Sequence, residues 1–495
     1  MRRNFVAIAA TLATAILYLA VSNSTLGVGF PLDDAWIHQT YARNLAEQGE
    51  WAFIPGSASA GSTAPLWSAL ISLGYFARFD PLVWTHFVGL FMLTFSGWIA
   101  ARWIVIRIPE RAAQAWAIAV LIPLEWHLAW AGLSGMETIA LSAIALLCFY
   151  RLEDQRSGPF LIGILIGIGA WIRPDALTLV VVPIGYMAIR DREKRIQRWL
   201  RLGAGIAVPL LPYLAFQRWL SGEIWPNTFY AKQAEYASLR ELPLLVRLLT
   251  QAGVPGEWLG APGLQEGGPL VGVLVVLLPG LLFAIKHYSV SRRWARLIPL
   301  AWAAIYLALY AIRLPVTYQH GRYAIPVIPI LLVLSLEGML RWIRPRSQVA
   351  TVRILSRAWI IVSVIAGLSF WLIGAGAYAR DVAIIETEMV ATARWIDRNT
   401  APDALVAAHD IGAIGYFAGR DLVDMAGLVS PDVIPFIRDE SALGIHLDET
   451  GAQYLATFPG WYPQLTAGRS PLYVTSAEHS PEAGGENMAV YPWNP

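Results

Sequence analysis

One apolar stretch after another, most of them close to the length of a bilayer crossing, constrains this chain more than any other feature. The run of about 18 apolar or small residues after MRRN is long enough to span a membrane. Ten further segments lie near 83–104, 113–131, 136–150, 159–172, 175–189, 202–219, 269–286, 297–313, 323–340 and 357–378. Only 15% of the residues are charged and 56% are hydrophobic, too little polar surface for an ordinary soluble domain. Ala20-Val21-Ser22 loosely resembles a cleavage site, but the run is long for a signal peptide and many spans follow. It reads as an uncleaved first span. The lone Cys148 sits in an apolar stretch, so an intramolecular disulfide is excluded and it reads as a small buried side chain.

Positive charge sets the topology. The segment 64–79 is short and ends at Arg78, and counting it as a span would invert every later loop. Placed in the interface, it leaves RWIVIRIPER, RLEDQR, RDREKRIQRWLR, KHYSVSRRWAR and RWIRPRSQVATVRILSR on one side. With Arg2 and Arg3, these hold 22 of the 37 Lys and Arg residues, as expected for cytoplasmic loops. The expected architecture is a polytopic α-helical membrane protein of about 11 spans. Its outward pieces are the loop 24–82, the turns near 132–136 and 173–175, the loop 220–268 and the tail. Residues 1–378 form the membrane unit. Residues 379–495 are richer in Asp, Glu, Pro and Gly, and VAAHDIGAIGYFAGRDLVDMAG alternates as strand, turn, helix and strand. They read as a small extracytoplasmic α/β domain.

The first outer loop carries two adjacent acids, Asp33 and Asp34, at the start of a helical pattern. Trp36, Tyr41, Leu45 and Ala46 can share one face of a helix lying on the membrane surface. The acids can cap that helix. Alternatively, one takes a proton from a hydroxyl nucleophile while the other holds a divalent cation or a second hydroxyl.

PLDDAWIHQTYARNLAEQGEWAFIPG followed by GSTAPLW resembles the start of C-type (GT-C) membrane glycosyltransferases, closest to the mycobacterial-type terminal arabinofuranosyltransferase branch. SGMET (134–138), IRPDAL (172–177), WPNTFYAK (225–232), GRYAIP (321–326) and HDIGAIGYFAGRDLVDMAGLV (409–429) follow in the same order. The chain departs from the pattern at Thr40, at His38 and at Ser59-Ala60, positions that bear on the donor sugar more than on the reaction class. The resemblance implies a polyprenyl-phosphate sugar as donor and a first-loop carboxylate that activates the acceptor hydroxyl. Carried over, Asp33 is the base, and Asp34 its partner or a ligand to Mg, Mn or Ca.

The remaining candidates have bland readings beside the functional ones. His38 lies one helical turn from the acids, and can assist them or simply face solvent. Glu137 is a substrate-binding candidate that also completes an S-x-x-E capping box. Arg173 and Asp175 flank Pro174, and an arginine at membrane depth usually faces a pocket or a phosphate. Lys232 and Arg322 are the first candidates for the donor phosphate, as charge-assisted donors at headgroup depth, with snorkelling as the alternative. Asn227, Tyr230, His320 and Tyr323 lie beside them in sequence and are substrate-binding candidates. Asp410 and Asp424 can bind acceptor glycan or serve as turn residues, the latter being the bland reading, and the tail is assigned no catalysis. Expected partners are the lipid-linked donor, a glycan or lipid acceptor and membrane lipids, with no nucleic acid. The competing reading is a transporter or flippase of lipid-linked sugars; ionisable groups gathered at the outer surface, away from mid-bilayer, favour the transferase.

Overall fold

The computed structural model describes residues 5–190, 195–261 and 267–493. Arg2, Arg3, Arg192, Lys194 and part of the 252–269 loop lie outside the described residues. Among those described, six helices are long and apolar enough to cross a membrane: Phe5–Thr25, Pro81–Arg107, Arg195–Ser221, Trp294–Arg313, Tyr318–Trp342 and Ala350–Asn399. Pro65–Phe76, Pro159–Ile172, Pro174–Ile189 and Leu274–Val290 are shorter apolar helices. The protein is a multi-pass membrane protein. Local sequence explains several boundaries. Asp80 accepts from Val83 N at 3.0 Å and Pro81 follows at the first helical position, so Pro81–Arg107 starts sharply. The segment 113–131 breaks instead of forming one helix. Pro123 ends one piece, and extended Glu125 caps the next by accepting from Leu128 N at 3.0 Å.

Small residues let the helices approach. A Cβ at Gly163 or Gly205 would run into the backbone of the facing helix, so Pro159–Ile172 and Arg195–Ser221 meet at glycine contacts. The basic side of the bundle holds a buried ionic cluster. Arg107 pairs with Glu337 (2.6 Å) and Glu153, and Arg296 reaches Glu153 at 2.5 Å. Replacing Glu337 by Ala leaves Arg107 partly uncompensated in a buried site, and should cost about 3–5 kcal/mol. A melting curve of the detergent-solubilised variant checks this; an unchanged midpoint would contradict it.

The last of the membrane-length helices runs from Ala350 to Ile385 and continues through a π turn, Glu386–Val390, into Ala391–Asn399. The boundary expected at 378 falls inside it. Beyond it, five strands form a mixed sheet in the order Asp421–Asp424, Leu405–Ala408, Tyr454–Thr457, Ala489–Pro492 and Tyr473–Val474. The first three are parallel and the last two antiparallel to their neighbours. Buried Glu388 on the long helix accepts from Met488 N (2.8 Å), Asn487 (3.1 Å) and Thr475, tying the sheet to the helix.

The first-loop helix, Asp34–Gln48, is buried on almost every side. One-faced amphipathicity suggested a surface helix; here a second layer covers it. Arg43 donates to Tyr416 O at 2.8 Å, and Trp36 packs against Tyr416 and Phe417. The tail thus sits on the first loop.

Candidate active site

Between the first loop, the helix Asn227–Glu235, the segment 316–322, the long helix and the tail lies a cavity of about 1070 Å³. Asp33, Asp34, Lys232 and Arg322 all line it.

Asp33 occupies the position before the first-loop helix but makes no side-chain bond to it. Its two oxygens accept instead from Gly412 N (2.7 Å) and Ala413 N (2.8 Å), at the start of the tail helix Gly412–Phe417. The cap is real and belongs to another helix. Burial and the charge of Asp410 raise the Asp33 carboxyl above the usual carboxylate range, while the two amides pull the other way. Asp410, at the cavity wall, is raised by burial as well.

Asp34 points the other way. Its Oδ2 lies 2.6 Å from Arg322 Nη2 and 4.0 Å from Lys232 Nζ. Enclosure opposes its charged form, but Arg322 and then Lys232 outweigh that and hold the carboxyl well below its usual range. A divalent cation does not fit here: Asp34 already faces two cations, which would repel a third. Among the described residues no group of three His, Cys, Asp or Glu side chains could hold a metal.

Arg322 owes its direction to backbone geometry. Gln319, His320 and Gly321 all have left-handed φ (54°, 60° and 66°), uncommon for the two non-glycine residues, and this turn brings Arg322 to the cavity. Arg322 is buried, its Nη2 donates to Tyr323 Oη at 3.1 Å, and its Nε and Nη1 have no hydrogen-bond partner. Lys232 lies 3.4 Å from Tyr318 Oη.

Other candidates sit behind this layer. His38 is buried, not solvent-facing: Nδ1 pairs with Ser68 Oγ at 2.8 Å and Nε2 lies 3.4 Å from Glu137. Glu137 makes no cap bond to the helix Thr138–Asp154, so the capping box fails. It pairs at 2.6 Å with Arg173, whose other donors go to Asp175 and Tyr310. Arg173 is thus spent on protein partners and does not line the cavity. Asn227 donates to Leu428 O (3.1 Å) and fastens the tail; Tyr230 reaches Glu223 at 3.3 Å, away from the cavity. Tyr323 touches Arg322, and His320 pairs with cavity-lining Asp381 at 2.7 Å. Asp424 is a turn residue, accepting from Ala426 N and Val429 N.

The tail supplies a wall that sequence reasoning missed. His409 lies 3.3 Å from Glu235 and 2.7 Å from Tyr462 Oη, and Trp461 is half exposed beside it. His-Asp at 409–410, separated by one residue from the glycine that binds Asp33, was the available signal.

Residues 380–491 match a family described as a domain of unknown function (DUF8728). No curated protein matches the chain in sequence. Among solved structures, ArnT from Cupriavidus metallidurans bound to undecaprenyl phosphate aligns over 98% of this chain and 97% of its own, with TM-score 0.57 and 12% identity. The apo oligosaccharyltransferase from Archaeoglobus fulgidus aligns over 92% of this chain and 69% of its own, with TM-score 0.60 and 12% identity. The arabinofuranosyltransferase AftD from Mycobacteria aligns over 98% and 40%, with TM-score 0.48 and 14% identity. The chain shares the fold of the first two.

Proposed function

We propose that this protein transfers a sugar from a polyprenyl-phosphate-linked donor to an acceptor hydroxyl on an envelope glycan, glycolipid or protein. The site faces the outer side of the membrane. The observation that carries this reading is one cavity in which the first-loop carboxylates meet Lys232 and Arg322, with two donors of Arg322 unpartnered. The shared fold supports the donor class. ArnT was solved with undecaprenyl phosphate and the Archaeoglobus fulgidus oligosaccharyltransferase with a dolichol-phosphate.

In the proposed step, the acceptor oxygen attacks the anomeric carbon and its proton passes to Asp33. The new glycosidic bond forms as the bond from that carbon to the phosphate oxygen breaks, and the electron pair leaves on the lipid phosphate. Arg322 and Lys232 stabilise that charge as it develops. In-line displacement of this kind inverts the anomeric centre. The amides of Gly412 and Ala413 fix the orientation of Asp33 before substrate arrives. Asp34, beside the cations, is on the leaving-group side; Asp33 is the better-placed base. Arg173, Glu137 and His38 act as positioning residues beneath the loop.

Incubating the purified protein with a panel of polyprenyl-phosphate sugars should release lipid phosphate from one of them in the presence of acceptor. No release from any donor would overturn the reading. The orientation has its own test, impermeant cysteine labelling on a Cys148-free background. A cysteine at position 438, in the tail, should label in intact cells, and one at position 198 only after permeabilisation. The reverse pattern would put the cavity on the wrong side.

A further inference from the structure

The cationic end of the cavity has an occupant of its own. Asp34 Oδ2 holds Arg322 at 2.6 Å and faces Lys232 at 4.0 Å, while Arg322 Nε and Nη1, buried and beside the cavity, have no acceptor. Tyr318 and Tyr323 lie 5.5 and 5.0 Å from the guanidinium and favour its charge without accepting those two N–H groups. At this end of the cavity Arg322 and Lys232 face Asp34, and the carboxylate satisfies only part of the donor capacity of Arg322. The donor's phosphodiester brings one negative charge and two free acceptor oxygens, and the lipid phosphate left by transfer brings more charge and three; either needs the N–H group that Asp34 now uses.

We propose that Asp34 is an internal stand-in for the donor phosphate. It holds Arg322 and Lys232 together in the empty site, yields them to the arriving phosphate, and reclaims them to expel the lipid phosphate left by transfer. The inference rests on reading these two cations as the phosphate clamp. Two physical consequences make it coherent. In the empty site Asp34 offsets the repulsion between Arg322 and Lys232, a role the arriving phosphate takes over. With a tethered competitor, the clamp's affinity is lowered by the fraction of time Asp34 occupies it, and a product that two cations would otherwise retain can leave.

The test is binding of undecaprenyl phosphate to the purified full-length protein in detergent, with inorganic phosphate titrated separately. Asp34→Asn keeps the shape and removes the charge. It should tighten undecaprenyl phosphate binding by roughly ten- to a hundredfold, the worth of one charge-assisted hydrogen bond no longer contested. Turnover in this variant should show a first cycle followed by slow ones, as product stays bound. Asp34→Glu, which restores a carboxylate, should return binding towards wild type, and Asp34→Asn/Arg322→Gln should lose the gain. A residue that merely holds the fold would give weaker binding in Asp34→Asn. Equal or weaker binding there overturns the inference and leaves the clamp standing. A gain confined to inorganic phosphate overturns the lipid headgroup as the ligand that Asp34 mimics. No binding of undecaprenyl phosphate by any variant, wild type included, overturns both the inference and the clamp.

Discussion

Changing Asp33 to Asn should lower turnover by roughly 100- to 10,000-fold, the range in which a positioned proton acceptor contributes. The change also has a structural cost. Both carboxylate oxygens now accept backbone N–H groups, and asparagine offers one oxygen and one NH₂ in their place. One amide of the pair Gly412 and Ala413 would lose its acceptor, costing about 1–3 kcal/mol of tail docking. Docking and base roles separate by pH. Asp33 titrates above the ordinary carboxylate range of about 4, raised by burial and by Asp410, with Asp34 adding to it. The base must be ionised, so the turnover of wild type should rise with pH through that raised value. Removing the neighbouring charge in Asp410→Asn lowers the Asp33 pKa and should move this limb to lower pH. In Asp33→Asn the limb should vanish from the residual activity; a weakened enzyme that keeps it would make Asp33 a docking residue only.

Arg322→Ala should weaken lipid-phosphate binding by roughly 10- to 150-fold, the loss of a charged hydrogen bond worth about 1.5–3 kcal/mol. The guanidinium reaches the cavity in a fixed orientation, held by Tyr323 and by the left-handed turn before it. Its planar fork can meet two phosphate oxygens at once, which an ammonium cannot. Arg322→Lys should therefore recover only part of the affinity. Lys232→Ala should have the smaller effect, since Lys232 contributes a point charge at longer range, 4.0 Å from Asp34. Titration of the variants with undecaprenyl phosphate gives the values. Wild-type affinity in both Ala variants would return the two cations to the role of partners for Asp34.

Much of this site was legible in the chain. Asp33, Asp34, Lys232 and Arg322 follow apolar segments whose basic loops put them on one side in the expected topology, and all four reach one cavity. The role of each neighbour was less legible, because helical spacing tells which face a residue occupies and not what lies opposite. Glu137 fits a capping box in sequence, yet the attraction of Arg173, 36 positions away, directs its carboxylate elsewhere. His38 reads as a surface residue until the short helix Pro65–Phe76 presents Ser68 to it. The largest omission was the tail wall. The bonds from Gly412 and Ala413 to Asp33 join positions 379 and 380 residues apart, and no local pattern encodes such a meeting. His409, Asp410, Trp461 and Tyr462 enter the cavity only through that docking.

The central claim is covalent transfer, and a donor labelled separately in its sugar and its phosphate tests it most directly. The purified protein, given this donor and an acceptor glycan, should part the labels one to one. The sugar label should appear in a new glycosidic bond and the phosphate label should stay with the lipid. Asp33→Asn should slow the parting without abolishing donor binding. Labels that remain together on the lipid, with the intact molecule moved across the bilayer of a reconstituted vesicle, would contradict the account and identify a carrier.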